Sequence, residues 1–340
     1  MSPLNGQPLR IGIVGASTLR GKEIAQILDE RPVPVPVADI RLFDDLSLAG
    51  TLTVAAGEPA VVQTLDADSL RGLHLVFFAC DESFAAIHWA AAEAAGAAVI
   101  DLSGAVATLD SAQISIPTLN GAHSESRLSS AKLFYSPGAA TIVACTLAEG
   151  LRQLRPLRIA AVFFQPVSEL GLAGIEELES QTAKLLSFQP FSREVFDTQV
   201  AFNLLDHYGQ LSRARLEDVR NATSRDVRAF LRGAQPLPAV QVVHAPVFYS
   251  LAFSIFVELQ QAGTPEELGL GLAAVGVTIP SAEDPPTTNL TVAGSHGLTV
   301  GSIRRDPNVD CGYWLWGAVD NIRLAADNAV RIAEKIIERI

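Results

Sequence analysis

Apolar positions along this chain follow two periods, one of strands and one of helices. Residues 11–14 (IGIV) form a short apolar run, residues 15–18 (GAST) a turn, and Ile24, Ile27 and Leu28 then recur at helical spacing. Short, bounded runs of branched and aromatic residues follow at residues 39–43, 73–80 (LHLVFFAC) and 97–104 (AAVIDLSG). Between the last two, residues 83–96 (SFAAIHWAAAEAAG) read as a helix that ends in Gly96. Another strand-like run, residues 132–136 (KLFYS), leads through Pro-Gly into an apolar helix that opens with Ala139, Ala140 and Thr141. Strand, helix, strand in this order predicts a parallel sheet with right-handed crossovers.

From about residue 159 the texture changes. Residues 159–168 (IAAVFFQPVS) read as a strand, and residues 174–186 and 216–231 as helices. Residues 239–259, 271–279, 297–306 and 313–320 read as β-rich. The chain closes on a helical pattern with Ile322, Ala325, Ala329, Ile332 and Ile336 on one side. The predicted fold class is α/β: an N-terminal Rossmann-like domain, residues 1–135, to which a C-terminal helix, residues 318–340, returns. Residues 136–317 are predicted to form an α+β dimerisation or substrate domain with a large mixed sheet and helices on one side.

Composition narrows the function. With 340 residues, 49% hydrophobic and 18% charged, the chain is long enough for two packed cores. A net charge of −12 argues against nucleic acid and acidic membranes as partners. No apolar run is long enough to span a bilayer, and the first residues lack the apolar core of a secretion signal, so the expectation is a cytoplasmic protein. Three cysteines (Cys80, Cys145, Cys311) without a CxxC pair or suitably spaced histidines predict no disulfide framework and no metal site.

The glycines Gly12, Gly15 and Gly21 lie where a strand meets a helix, the setting of a pyrophosphate-binding turn. Gly12, Gly15, Ala16, Ser17, Thr18 and Leu19 are therefore candidate cofactor residues; a turn that needs glycine for geometry alone is the other reading. Asp44 and Asp45 end the second strand, where a carboxylate accepts from a ribose hydroxyl and repels a 2′-phosphate. If a dinucleotide binds, this charge favours NAD over NADP; the plainer reading is two acids solvating a strand end.

The order of segments resembles the aspartate-semialdehyde dehydrogenase family over nearly the whole chain. IGIVGASTLRGKEIAQIL is similar to that family's G-x-x-G-A-T-G-x-V-G opening, and AAVIDLSGAVATLD to its V-I-D-x-S-S-A-F-R-M-D. VFFQPVSELGLAGIEELESQT is similar to Y-Q-A-V-S-G-A-G-x-x-G-x-E-E-L-x-x-Q-T, and VAFNLL to I-A-F-N-V-I-P. GAVDNIRLAADNAVRIAE resembles V-x-D-N-L-R-K-G-A-A-x-N-A-V-Q-I-A-E. The resemblance implies a homodimer, NADP chemistry and a cysteine nucleophile with a histidine acid/base. Position by position, the family's N-P-N-C-S-T falls on SPGAAT, which puts Ala139 at the nucleophile and Gly138 at the preceding asparagine. R-V-P-V-x-x-G-H-S-E falls on HAPVFYSLAF, which puts His244 at the substrate arginine and Leu251 at the catalytic histidine. Ala107 replaces a phosphate-binding arginine, Asp218 lies at or beside a lysine, Ser47 replaces the arginine that grips the NADP phosphate, and Glu169 stands at a glycine beside the cofactor. Gln165, Asp320 and Asn321 survive, Asn321 as a cofactor contact.

A scaffold without its chemistry is the expected outcome: a catalytically silent, Usg-type paralogue that binds or scaffolds as a homodimer, or as a hetero-oligomer with an active relative. The alternative is an NAD-dependent oxidoreductase of altered, non-covalent chemistry linked to amino-acid biosynthesis. Its only visible proton donor is His244, whose plainer reading is a core or interface histidine with a satisfied hydrogen bond. Cys145 lies six residues past Ala139, about one and two-thirds turns on, and so points away from it. Cys80 ends a strand at the edge of the expected nucleotide crevice and is the one thiol worth testing, although a small buried side chain is its plainer reading.

Overall fold

A computed structural model describes residues 8–338 except 32, 34, 49, 56, 57, 67, 120–130, 234 and 235. The chain divides into two compact units, Met1–Pro137 with Ala325–Ile340, and Gly138–Leu324.

The first unit is built on a parallel sheet. Its strands β1 (Leu9–Val14), β2 (Val37–Asp44), β5 (Gln63–Thr64), β6 (Leu75–Phe78), β7 (Ala98–Asp101), β8 (Gln113–Ile114) and β9 (Leu133–Tyr135) lie in the order β5-β2-β1-β6-β7-β9-β8. A small antiparallel hairpin, β3 (Leu52–Ala55) and β4 (Glu58–Val61), interrupts the chain after β2. Helices α1 (Leu19–Glu30) and α2 (Glu82–Ala94) are the described crossovers. The strands read as continuous apolar runs because both faces are covered. One face packs with Ile24, Ile27 and Leu28 of α1 and with Ala326, Ala329, Val330, Ile332, Ala333, Ile336 and Ile337. Those last seven lie on α7 (Asn321–Ile337), which starts within the second unit and ends in the core of the first. Strand order reverses about β1, so the turn after β1 stands at a topological switch point, where such sheets bind ligands.

The second unit is a five-stranded sheet of order β11-β10-β12-β14-β13, where β10 is Pro156–Gln165, β11 Ala239–His244, β12 Leu251–Leu259, β13 Thr299–Arg305 and β14 Gly312–Val319. Only β10 and β11 are parallel, which makes the sheet mixed. Ile159, Ala161 and Phe163 align with Val257, Ile255 and Phe253 and form the buried face. Against the sheet pack α3 (Ala139–Leu151), α5 (Leu216–Leu231) and α6 (Pro265–Ala273). The remaining helix, α4 (Gly171–Leu186), follows β10. The alternate positions carry Phe164, Phe256, Trp314 and Trp316, with Phe164 against Trp316 and Phe256 against Trp314. Trp314 is 44% and Trp316 38% exposed, so this face presents aromatic rings to solvent.

One element departs from expectation. Residues 271–279, read as β-rich, hold the last turn of α6 and only an isolated bridge from Thr278 to Thr299. A capping box, Thr264 with Glu267, and Pro265 at the first helical position start a helix that overrides the branched residues beyond it. No described helix is long and apolar enough to cross a membrane.

Candidate functional site

The turn after β1 keeps its shape by backbone contact. Gly15 has φ +83°, and a Cβ there would come 2.7 Å from the Cys80 amide nitrogen. Gly21, on the first turn of α1, packs against the Gly15 carbonyl so closely that a Cβ would lie 2.1 Å from that oxygen. Thr18 caps α1, its hydroxyl accepting from the Gly21 N–H at 3.0 Å. Gly12 is a correction: it lies inside β1, where a Cβ would meet Leu73 Cδ1 at 2.8 Å, so it serves side-chain packing and is not part of the turn.

A dinucleotide needs free N–H donors at such a turn. Here the Gly15 and Ala16 amides donate to the Phe43 carbonyl, and the Thr18 amide to the Gly15 carbonyl. The Ser17 amide donates to Asp44 Oδ2 at 2.9 Å. Asp44 is buried and also accepts from the Asp45 amide, so it braces the turn from within. The Leu19 amide, at the start of α1, has no partner among the described residues. The turn thus fits a pyrophosphate in shape but offers it few donors. Asp45 is exposed; hydrogen bonds from the Ser47 hydroxyl and amide hold its carboxyl below the usual range, so it stays ionised beside the strand end. Ala107 lies partly buried against the apolar cluster around α2, and Cys80 is half-buried behind the turn. Burial pushes the Cys80 thiol up to about 12, with the charges of Asp101, Asp44 and Asp81 adding to it. A thiol so far from ionising at neutral pH is a poor nucleophile.

In the second unit the structure gathers Gln165, His244 and Leu251 at one end of β10. Gln165 pairs with His244 across β10 and β11, and Leu251 adjoins Ala252, the partner of Phe164. Helix α3 feeds β10 through a short turn and packs on it, so its N-terminus, with Ala139, returns toward that same end. What converges there is inert. Ala139 offers a methyl group, and Leu251 is buried hydrocarbon. Gly138 has φ −66° and ψ 164°, extended backbone that an asparagine would accept equally. His244 is fully buried: Nε2 donates to the Val200 carbonyl at 3.3 Å, which leaves Nδ1 to accept from the Tyr208 hydroxyl at 3.3 Å. Burial lowers its pKa, so the imidazole stays neutral. That makes His244 a satisfied core histidine and corrects its reading as an accessible proton donor. Tyr208, which the sequence did not single out, seals it, and Gln165 borders the same hydroxyl. The Gln165 Nε2 itself is buried with no hydrogen-bond partner among the described residues. Cys145 is fully buried on α3 and its thiol is pushed up by desolvation, as a structural cysteine should be.

Asn321 is a third correction. Its Oδ1 accepts from the Ser250 amide at 3.0 Å and from the Ser168 hydroxyl at 3.3 Å, while its Nδ2 donates to Glu169 Oε1 at 2.8 Å. The side chain is saturated within the second unit, where it ties the start of α7 to the segments after β10 and before β12. It is a buried clip and offers nothing to a cofactor in this arrangement.

Ser250 was also missed, although its signal was in the motif: it falls on the glycine of G-H. It retains the conformation glycine would supply, φ +70°, and its buried hydroxyl has no hydrogen-bond partner among the described residues. A left-handed residue with a Cβ costs roughly 1–2 kcal/mol, and a buried orphaned hydroxyl about 1–3 kcal/mol. Against this, glycine loses ~0.5–1 kcal/mol more conformational entropy on folding. Ser250→Gly is therefore expected to stabilise the second unit by roughly 1–4 kcal/mol, read as a higher denaturant midpoint at unchanged m-value; a lower midpoint would show that the hydroxyl is satisfied. Among the described residues no group of three histidine, cysteine or acidic side chains could hold a metal ion.

Comparison with known proteins agrees with this architecture. The NAD binding domain of semialdehyde dehydrogenase matches residues 10–127 and its dimerisation domain matches residues 149–324. A USG-1 protein homolog of Azotobacter vinelandii is 32% identical over 335 residues, covering 97% of this chain and 98% of its own. An aspartate-semialdehyde dehydrogenase of Legionella pneumophila is 29% identical over 349 residues, covering 97% and 96%. The solved structure of a probable aspartate-semialdehyde dehydrogenase from Pseudomonas aeruginosa has a TM-score of 0.85 at 30% identity, covering 98% of this chain and 99% of that one. Aspartate semialdehyde dehydrogenase II of Vibrio cholerae has a TM-score of 0.86 at 25% identity over the same shares. Two matching domains, one fold and full-length likeness place this chain in the aspartate-semialdehyde dehydrogenase family, as a member of its Usg type.

Proposed function

We propose that this chain has lost the family's covalent reaction and works as a dimeric binding or scaffold protein. The observation that carries this reading is the end of β10. Where the resemblance puts a nucleophile, a base and a carboxylate-binding arginine, there stand a methyl group, an isobutyl group and a sealed neutral imidazole. No thiolate is at hand to replace them: burial suppresses ionisation of both Cys80 and Cys145, and Cys311 lies beside Leu259, at the opposite end of the sheet. A hydroxyl such as Thr141 needs a positioned base to attack, and Leu251 supplies none.

The dimerisation domain and the exposed aromatic face of its sheet support a homodimer through that face; an active relative with a similar face is the hetero-oligomeric variant. Any dinucleotide held at the turn after β1 is NAD in preference to NADP, because ionised Asp45 repels a 2′-phosphate. The altered-chemistry oxidoreductase loses its proton donor with the burial of His244.

The test is an assay with aspartate semialdehyde and phosphate, following NADH and NADPH, together with calorimetric titration of each dinucleotide. No turnover is expected from the protein or from Ala139→Cys, since a restored thiol still lacks base and anion grips. Turnover above background by either would overturn the assignment. Saturable NAD binding with weaker NADP binding supports a working crevice, and the reverse order removes Asp45 as its selector.

A further inference from the structure

Arginines gather at one end of the second sheet. β10 and β11 are parallel neighbours, with Ala160 beside Ala239, so the segments that feed them arrive at the same end. One feed is the C-terminus of α3 and the short 3-10 turn after it, with Arg152 and Arg155, and Arg158 follows at the start of β10. The other is the C-terminus of α5, with Arg228 and Arg232. Arg152 pairs with Glu149 and Arg158 with Glu258. The exposed side chains of Arg155, Arg228 and Arg232 have no ion pair or hydrogen bond among the described residues. In a chain of net charge −12 this is a local reversal of sign.

Part of the pattern has a structural cause, because a cation beside a helix C-terminus complements the helix dipole. That accounts for Arg228 in the last turn of α5. Arg155 and Arg232 differ. Each is a cap residue in the left-handed region, with φ 52° and φ 45°, where glycine sits without strain and a residue with a Cβ does not. Two separate caps at one end of one sheet carry arginine in place of the easier residue. A purely structural role would not favour that choice.

We propose that this end of the second unit is a docking surface for an acidic protein segment, with Arg155, Arg228 and Arg232 receiving its carboxylates. The planar guanidinium grips a carboxylate through two parallel hydrogen bonds. A nucleic acid would need a continuous basic track, whereas Glu149 and Glu258 interrupt this one and the rest of the chain repels a polyanion.

The test is fluorescence anisotropy of a labelled oligoglutamate peptide titrated with the full-length protein at low salt. The wild type should bind saturably and release the peptide as salt rises. Arg155→Gly/Arg232→Gly should weaken binding roughly tenfold while its thermal midpoint holds or rises, since glycine suits both caps. Arg213→Gln/Arg215→Gln, just before α5 and so at the end of that helix opposite Arg228 and Arg232, should leave binding unchanged. Should the glycine pair fail to fold, Arg228→Gln carries the test with a roughly threefold loss. The proposal is overturned if the wild type does not bind, if the substituted caps bind as well as wild type, or if a single-stranded oligonucleotide of equal charge binds as tightly.

Discussion

Gly21→Ala is expected to cripple the first unit, although helix propensity alone forecasts the opposite. In an exposed helix interior alanine is better than glycine by about 1 kcal/mol. Here the added Cβ would lie 2.1 Å from the Gly15 carbonyl oxygen and 2.9 Å from the Ala16 Cα. Both are backbone atoms, and the turn that holds them is itself pinned by Phe43, Asp44 and Cys80, so neither can swing aside as a side chain would. Relieving such an overlap shifts α1 off β1 and costs about 3–5 kcal/mol, at the upper end for overpacking. The helix-propensity gain is smaller than this. For a unit of this size the loss lowers the first thermal transition by roughly 10 °C. Calorimetry should show that transition separating from the second. An unchanged or raised midpoint would mean that α1 stands farther from the turn than described.

Trp314→Glu/Trp316→Glu should convert a dimer into a monomer of 36.1 kDa without unfolding the sheet. Both rings lie on the sheet face opposite the packed helices, beside Phe256 and Phe164. Large aromatic rings in the middle of an interface contribute about 2 kcal/mol or more each. A carboxylate in their place adds the cost of desolvating a charge. The dissociation constant should therefore rise by about a thousandfold or more, read by light scattering across a dilution series. The fold should survive, because each indole lies partly in solvent and its N–H makes only a peripheral bond, Trp314 to Asp306 at 2.8 Å and Trp316 to the Thr287 carbonyl at 3.0 Å. A double variant that still elutes as a dimer would move the interface off this face.

Legibility in the sequence followed the range of the interactions involved. The β1 turn, α1 and α5 could be read because capping, glycine geometry and apolar period are local, and residues 216–231 form the helix their pattern predicts. The strand that was misread at residues 271–279 failed for a local reason too: branched residues outweighed a capping box in the reading but not in the fold. His244 was ambiguous because its state depends on Val200 and Tyr208, 44 and 36 residues away. Asn321 looked like a cofactor contact for the same reason: its partners Ser168 and Ser250 are 153 and 71 residues distant. Gly12 was assigned to the turn by spacing, whereas the side chains of Leu73 and Phe43 decide what it does. A motif marks where a residue stands along the chain; it does not say which distant groups have already satisfied it.

The passage of α7 from one unit into the other bears on how the protein is made. All the described strands of the first unit precede Pro137, but seven apolar residues of its core, Ala326 to Ile337, follow the whole of Gly138–Leu324. A ribosome adding 5–20 residues per second needs on the order of 10–40 s to make the intervening Gly138–Leu324. Throughout that interval one side of the parallel sheet, with Ile11, Ile13, Phe77 and Ile100, has α1 in place but lacks the second helix that covers it. Of the two units, the one translated earlier thus waits for the later one before it can close. A nascent chain with that face exposed is a natural client for chaperones, and a stop codon only a few residues into α7 would leave the first unit, though translated up to Pro137, without one wall of its core.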